Sequence, residues 1–76
     1  YITMEMIKKF NKDYPNGSIQ VQRIMMEIPE KGEVSKVTIQ PDVNNSQRFF
    51  TWYGEGKTIE EAQLNAIKFA LSYLYS

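Results

Sequence analysis

Apolar residues near the start of the chain recur at spacings of three and four. From Ile2 to about Asp13 they are Met6, Ile7 and Phe10, with Lys8, Lys9 and Lys12 on the remaining faces. This is the period of a short amphipathic helix. Tyr14-Pro15-Asn16-Gly17 predicts its end, because proline disfavours a helical residue before it and Asn-Gly supplies a turn expected to use a positive φ. Three runs of β type follow: about Ser18–Ile28, about Val34–Gln40 and about Arg48–Tyr53. Pro29-Glu30-Lys31-Gly32 and the Pro41–Ser46 stretch separate them as hairpin-length loops, which predicts antiparallel neighbours.

Within the second run Val37 and Ile39 share one face and Lys36, Thr38 and Gln40 the other, the alternation of a sheet covered on one side. The first run changes phase. Ile19 and Val21 have one parity, Ile24, Met26 and Ile28 the other, and a bulge near Arg23 is expected to make the switch. In the third run Phe50 and Trp52 face one way and Phe49, Thr51 and Tyr53 the other. Thr58 with Glu61 three residues on forms the S/T-x-x-E capping box that opens a last helix. Ala62, Ala66 and Ala70 give that helix a stripe of small side chains for lying close on a sheet, and Phe69, Tyr73 and Leu74 widen its face. The predicted fold class is α+β, with the order α-β-β-β-α in one domain over residues 1–76.

Composition narrows the chemistry. The chain has no cysteine and no histidine, so disulfides, thiolate nucleophiles, imidazole bases and the common zinc sites are excluded, and no cofactor is expected. No apolar run approaches the ~20 residues of a membrane span, and the 42% hydrophobic content is that of a folded, water-soluble module. Without an initiator Met at Tyr1, the chain is expected to be a piece of a longer polypeptide. Nine basic residues balance nine acidic ones. That counts against strong nucleic-acid binding, which draws most of its affinity from neutralised phosphates.

Several motifs have plainer explanations. Gly56-Lys57-Thr58 precedes a helix as a phosphate loop does, but Thr51 stands where such a loop requires glycine. Gly54 and Gly56 read instead as the points where the backbone turns sharply. Glu60 and Glu61 are neighbours on a helix, about 100° apart, with no other catalytic residue type beside them, so they read as charges that complement the helix dipole. No enzyme and no small-molecule substrate are expected. Asn16-Gly17-Ser18 and Asn44-Asn45-Ser46 fit the glycosylation acceptor pattern but read as turn chemistry.

The run from Trp52 through Tyr53-Gly54-Glu55-Gly56-Lys57-Thr58 to Ala62, Ala66, Ala70 and Leu74 resembles the closing third of a double-stranded-RNA-binding domain. That family leads an aromatic strand residue into G-x-G-x-S-K-K-x-A-K and an alanine-spaced helix. The resemblance implies a three-stranded antiparallel sheet with both helices packed on one face, a buried aromatic at Trp52, and a third strand at the sheet's edge. It also implies three RNA contacts, and the chain departs from each. Met6-Ile7-Lys8-Lys9-Phe10 aligns with the family's L-L-x-E-Y, with Lys9 replacing the glutamate. The G-P-x-H loop is replaced by Glu30-Lys31-Gly32-Glu33. Ile59, Glu60 and Gln63 stand where the lysine cluster would be.

Duplex RNA is gripped by such contacts acting together. The resemblance therefore implies a non-catalytic, intracellular module of a larger RNA-associated protein. Its partner is expected to be another protein or a second copy, met through the third strand and the open sheet face at Phe49, Thr51 and Tyr53. The alternative is genuine, weak double-stranded-RNA binding led by Lys8, Lys9 and Lys12, with help from Lys31 and Lys57. A single-strand stacking role for the aromatics of the third strand is a further, lesser reading.

Overall fold

The computed structural model describes residues 2–24 and 32–76, so Lys31, Met26 and Ile28 lie outside the described residues. The chain runs α1 (Ile2–Asp13), β1 (Ser18–Ile24), β2 (Glu33–Gln40), β3 (Phe50–Gly56) and α2 (Ile59–Leu74). Along α1 the amphipathic pattern resolves as read: Phe10 is buried, Met6 and Ile7 are half-buried, and Lys8, Lys9 and Lys12 are exposed. The amide of Tyr14 still donates to the Phe10 carbonyl at 2.8 Å, and Gly17 N donates to Tyr14 O at 2.8 Å to close the turn. Gly17 does not use the positive φ expected of Asn-Gly. Among the described residues that conformation belongs to Gly32, at φ 84°. What position 17 needs is space, because a Cβ there would come 2.7 Å from Phe10 Cζ.

The strands form one antiparallel sheet in the order β1-β2-β3. Ile19 pairs with Ile39, Val21 with Val37 and Arg23 with Ser35. Across the other side Val37 pairs with Trp52, Ile39 with Phe50 and Ser35 with Gly54. Directly paired residues share a face, so these positions line the face under α2. The opposite face carries Gln20, Gln22, Lys36, Thr38, Thr51 and Tyr53.

The expected bulge near Arg23 is absent, since pairing runs unbroken from Ser18 opposite Gln40 to Ile24 opposite Val34. The change of phase has another cause. Ile24 and Val34 cover each other, half-buried, on the open face. Arg23, on the helix side, turns outward to a two-pronged ion pair with Glu33, at 3.0 Å from Nε and 2.9 Å from the terminal nitrogen.

The third strand is also longer at its far end than the sequence pattern indicated. It begins at Phe50 and continues through Gly54 and Gly56, which extend the strand where a sharp turn was expected. The reason is α2, which lies across them. A Cβ at Gly54 would fall on the backbone of Ala62 and Ala66, and one at Gly56 would come 2.7 Å from Glu61 Cβ. Ala62, Ala66, Ala70 and Leu71 are the buried residues of α2. Ala66, Ala70 and Leu71 form the core with Val37, Ile39 and Phe10. Both helices thus lie on one side: α2 rests against the sheet, and α1 packs along α2 while sending Phe10 into the shared core.

Thr58 caps α2 from an extended conformation (φ −121°, ψ 162°), its Oγ1 accepting the Glu61 amide at 3.1 Å. The return half of the expected capping box is missing among the described residues. The Glu61 side chain runs along Gly56 instead.

The loop after β2 is held by short side chains: Asp42 Oδ1 accepts from Asn44 N at 2.9 Å and Asn45 Oδ1 from Gln47 N at 3.3 Å. Val43 N reaches Asn16 O at 2.8 Å, tying this loop to the α1–β1 turn.

Two substitutions under α2 are expected to move stability in opposite directions. Alanine normally improves on glycine inside a strand by roughly 0.5–1 kcal/mol, but Gly54→Ala forces the helix off the sheet and is expected to cost about 3 kcal/mol. Ser35 is fully buried, and among the described residues its hydroxyl has no partner. Ser35→Ala removes an unsatisfied group and is expected to be neutral or to stabilise by about 1 kcal/mol. Urea unfolding of the two variants beside the parent measures both.

Candidate interaction surface

Alternation along β3 sends Thr51 and Tyr53 to the open face, with Phe49 just before the strand. Phe49 is 58% exposed and Tyr53 55%, while Thr51 is half-buried beside Thr38. The rest of that face is polar: Gln20-Thr38-Thr51 makes one cross-strand row and Gln22-Lys36-Tyr53 the next. Apolar exposure on the open face is therefore concentrated at the β3 margin.

The backbone at that margin is also available. Gly56 turns its carbonyl toward Gly32, on the β2 side. The Glu55 carbonyl accepts the Asn65 side-chain amide at 2.6 Å. Successive residues of a strand present their hydrogen-bonding groups to opposite sides. Gly56, Gly54 and Trp52 thus bond inward to β2, while Glu55, Tyr53 and Thr51 face outward. Asn65 satisfies the carbonyl at Glu55, and among the described residues no strand pairs with the outward groups of Thr51 and Tyr53.

On the helix side of the same margin lie aromatics that sequence reasoning assigned to the interior. Trp52 is on the covered face as expected, yet 37% exposed rather than buried. Its ring sits 5.3 Å from that of Tyr73, and Phe50 meets the same tyrosine edge-on at 5.5 Å. Asn65, Phe69 and Tyr73 are spaced by four along the flank of α2 above β3. Phe69 and Tyr73 are 48% and 58% exposed. The signal was present: a helix seated on an alanine stripe has no room beneath it for the adjacent row of large side chains, so that row must sit at the edge.

The basic candidates are divided. Lys8, Lys9 and Lys12 are exposed on α1, and Lys57 is exposed before α2. The C-terminal ends of the helices meet where Tyr75 donates its hydroxyl to Asp13 Oδ2 at 3.0 Å. Lys57, at the other end of α2, is thus roughly 25 Å away along a helix that rises 1.5 Å per residue. Lys9 is partly engaged within the chain, its Nζ 4.4 Å above the Tyr75 ring. Glu60 and Glu61 occupy the first turn of α2 beside Lys57. Among the described residues no group of carboxylates could hold a metal ion, and no helix is long and apolar enough to cross a membrane.

No protein-family model matches the chain, and no curated protein matches it.

Tyr75 joins the two helices at the end opposite the capped one. Its burial, and after that its hydrogen bond to Asp13, push the phenol up to about 12 from its usual 10. A raised pKa means that the folded state favours the protonated phenol. The resulting stability is fully present below pH 10 and is lost as pH climbs through 12. Replacing Tyr75 with Phe is expected to cost about 1 kcal/mol at neutral pH. The gap between parent and variant should narrow only above pH 10, as read by denaturant unfolding at a series of pH values.

Proposed function

We propose that this chain is a non-catalytic, double-stranded-RNA-binding-like module of a larger intracellular, RNA-associated protein, and that its main work is protein contact through the third strand. The observation that carries this reading is the β3 margin. Outward backbone groups at Thr51 and Tyr53 lie between exposed aromatics on the open face and exposed aromatics on the helix side. A free strand edge bordered by large apolar side chains favours a partner over solvent.

The family resemblance supports the same reading from the other direction. The RNA contacts it implies are altered or missing, and the bases that persist are spread over both ends of α2. Each phosphate that meets no cation withholds roughly 0.9 of a released counterion from the binding equilibrium. Glu60 and Glu61 also set negative charge at a helix start that would otherwise attract a phosphate.

Two measurements test this function. Titration of isotope-labelled domain with an RNA duplex of roughly 16 base pairs at low salt is expected to leave the signals of Lys8, Lys9, Lys12 and Lys57 in place. Saturable shifts there that fade steeply with salt would establish RNA binding instead. In the longer protein, joint replacement of Phe49 and Tyr53 by Asp is expected to weaken the protein complex at least about tenfold, the loss typical of an aromatic anchor. The domain's own spectrum should stay that of a folded chain.

A further inference from the structure

Resting on that reading of the third strand, the geometry points to a definite occupant: a second copy of this chain, its β3 antiparallel to the first about a two-fold axis at Trp52. In an antiparallel pair, the residues that exchange both hydrogen bonds must each turn their backbone to the partner. A two-fold axis normal to the sheet joins residues of like parity, which leaves three registers near the strand centre. Tyr53 opposite Tyr53 would draw Glu55 into the ladder and displace Asn65 from its carbonyl. Thr51 opposite Thr51 would rely on Phe49, which lies outside β3. Thr51 opposite Tyr53, formed twice by symmetry, uses just the groups that are free.

That register brings Trp52 opposite its counterpart in the second copy. Because Trp52 bonds inward to β2, the contact is a pair without hydrogen bonds, the closer of the two spacings in an antiparallel ladder. Each indole is already against its own Tyr73, so one aromatic row would cross the axis, with Phe69 of both copies filling the space between the two α2 helices. Five aromatics stand roughly half exposed along this margin. At 150–250 Å² for a whole aromatic side chain, covering them completely removes roughly 500 Å² per copy, about 1,000 Å² in total, which meets the lower bound for a specific interface. Direction follows from charge. Antiparallel strands set the Arg48 end of one copy beside the Glu55 end of the other, whereas parallel strands would put Glu55 beside Glu55.

The chain has no cysteine, so single introduced thiols report the register cleanly. The closer antiparallel spacing, about 4.5 Å between Cα atoms, falls within the range a disulfide can bridge. Trp52→Cys is expected to crosslink to itself at least about ten times faster under mild oxidation than Val43→Cys, an exposed site away from β3. Because Trp52→Cys also removes an interface side chain, Thr51→Pro supplies a second arm. It deletes an outward amide, which an edge strand tolerates, while leaving the five aromatics in place, and is expected to convert a sedimenting dimer to monomer with an unchanged circular dichroism spectrum. Equal crosslinking at the two thiol sites, or a parent domain that is monomeric at millimolar concentration, overturns the self-pairing. Neither result touches the broader reading, which falls if replacing Phe49 and Tyr53 leaves the larger protein's complex intact or if duplex RNA binds the domain saturably.

Discussion

Where α2 crosses β3, the backbone of Ala62 and Ala66 occupies the volume that any side chain at position 54 would need. This is a contact of main chain with main chain, and it requires two sequence features at once: glycine on the strand and alanine on the helix. Ser35, paired with Gly54 across the sheet, is the small neighbour that completes the seat. Its hydroxyl has no partner among the described residues, so its size rather than its chemistry suits it to the place. Domains of this length bury only roughly 60% of the surface their unfolded chains expose. A close helix–sheet approach draws more dispersion from a small core than large side chains meeting across a wider gap would.

The same approach decides what stays outside. With the underside of α2 filled by alanine, the larger side chains of the helix divide between its two flanks. Leu71, Ile67 and Leu74 join the core with Phe10 of α1. Phe69 and Tyr73 emerge on the other flank, above β3, where Trp52 and Phe50 lean against Tyr73. The exposed aromatic margin is therefore a by-product of the packing that stabilises the domain. Unpaired backbone and large exposed apolar side chains coincide there.

Much of this was legible along the chain because it rests on local rules. The period of α1, the Thr58 cap, the alanine stripe and the parity of β2 and β3 each follow from spacing alone, and the structure has them where the spacing puts them. The failures share a different origin. Gly54 and Gly56 read as turn residues because glycine's freedom is a local property, while the helix lying on them is a tertiary one. Gly17 is glycine for the Phe10 ring and not for its own φ. The bulge expected at Arg23 came from treating Ile24 as a core residue, when it shelters with Val34 on the open face. Trp52 was placed on the correct side of the sheet but too deep, because alternation fixes a face and says nothing of how far the covering helix extends over it.

Solitary β edges are usually blunted by proline, by charge or by a bulge, and β3 has little of this between Phe50 and Tyr53. Among the described residues its one guarded group is the Glu55 carbonyl, closed by Asn65 from the flank of α2. The guard is at the far end, so it limits the length of any added strand without preventing one. At that same end Glu60 and Glu61 favour the start of α2 by roughly 0.3–1 kcal/mol each through the helix dipole, and so make the helix tip a poor seat for phosphate. Charge is thus used to stabilise the end where the backbone is closed. The middle of the edge keeps its hydrogen bonds and aromatic rings open, a division that suits docking of another strand better than docking of a polyanion.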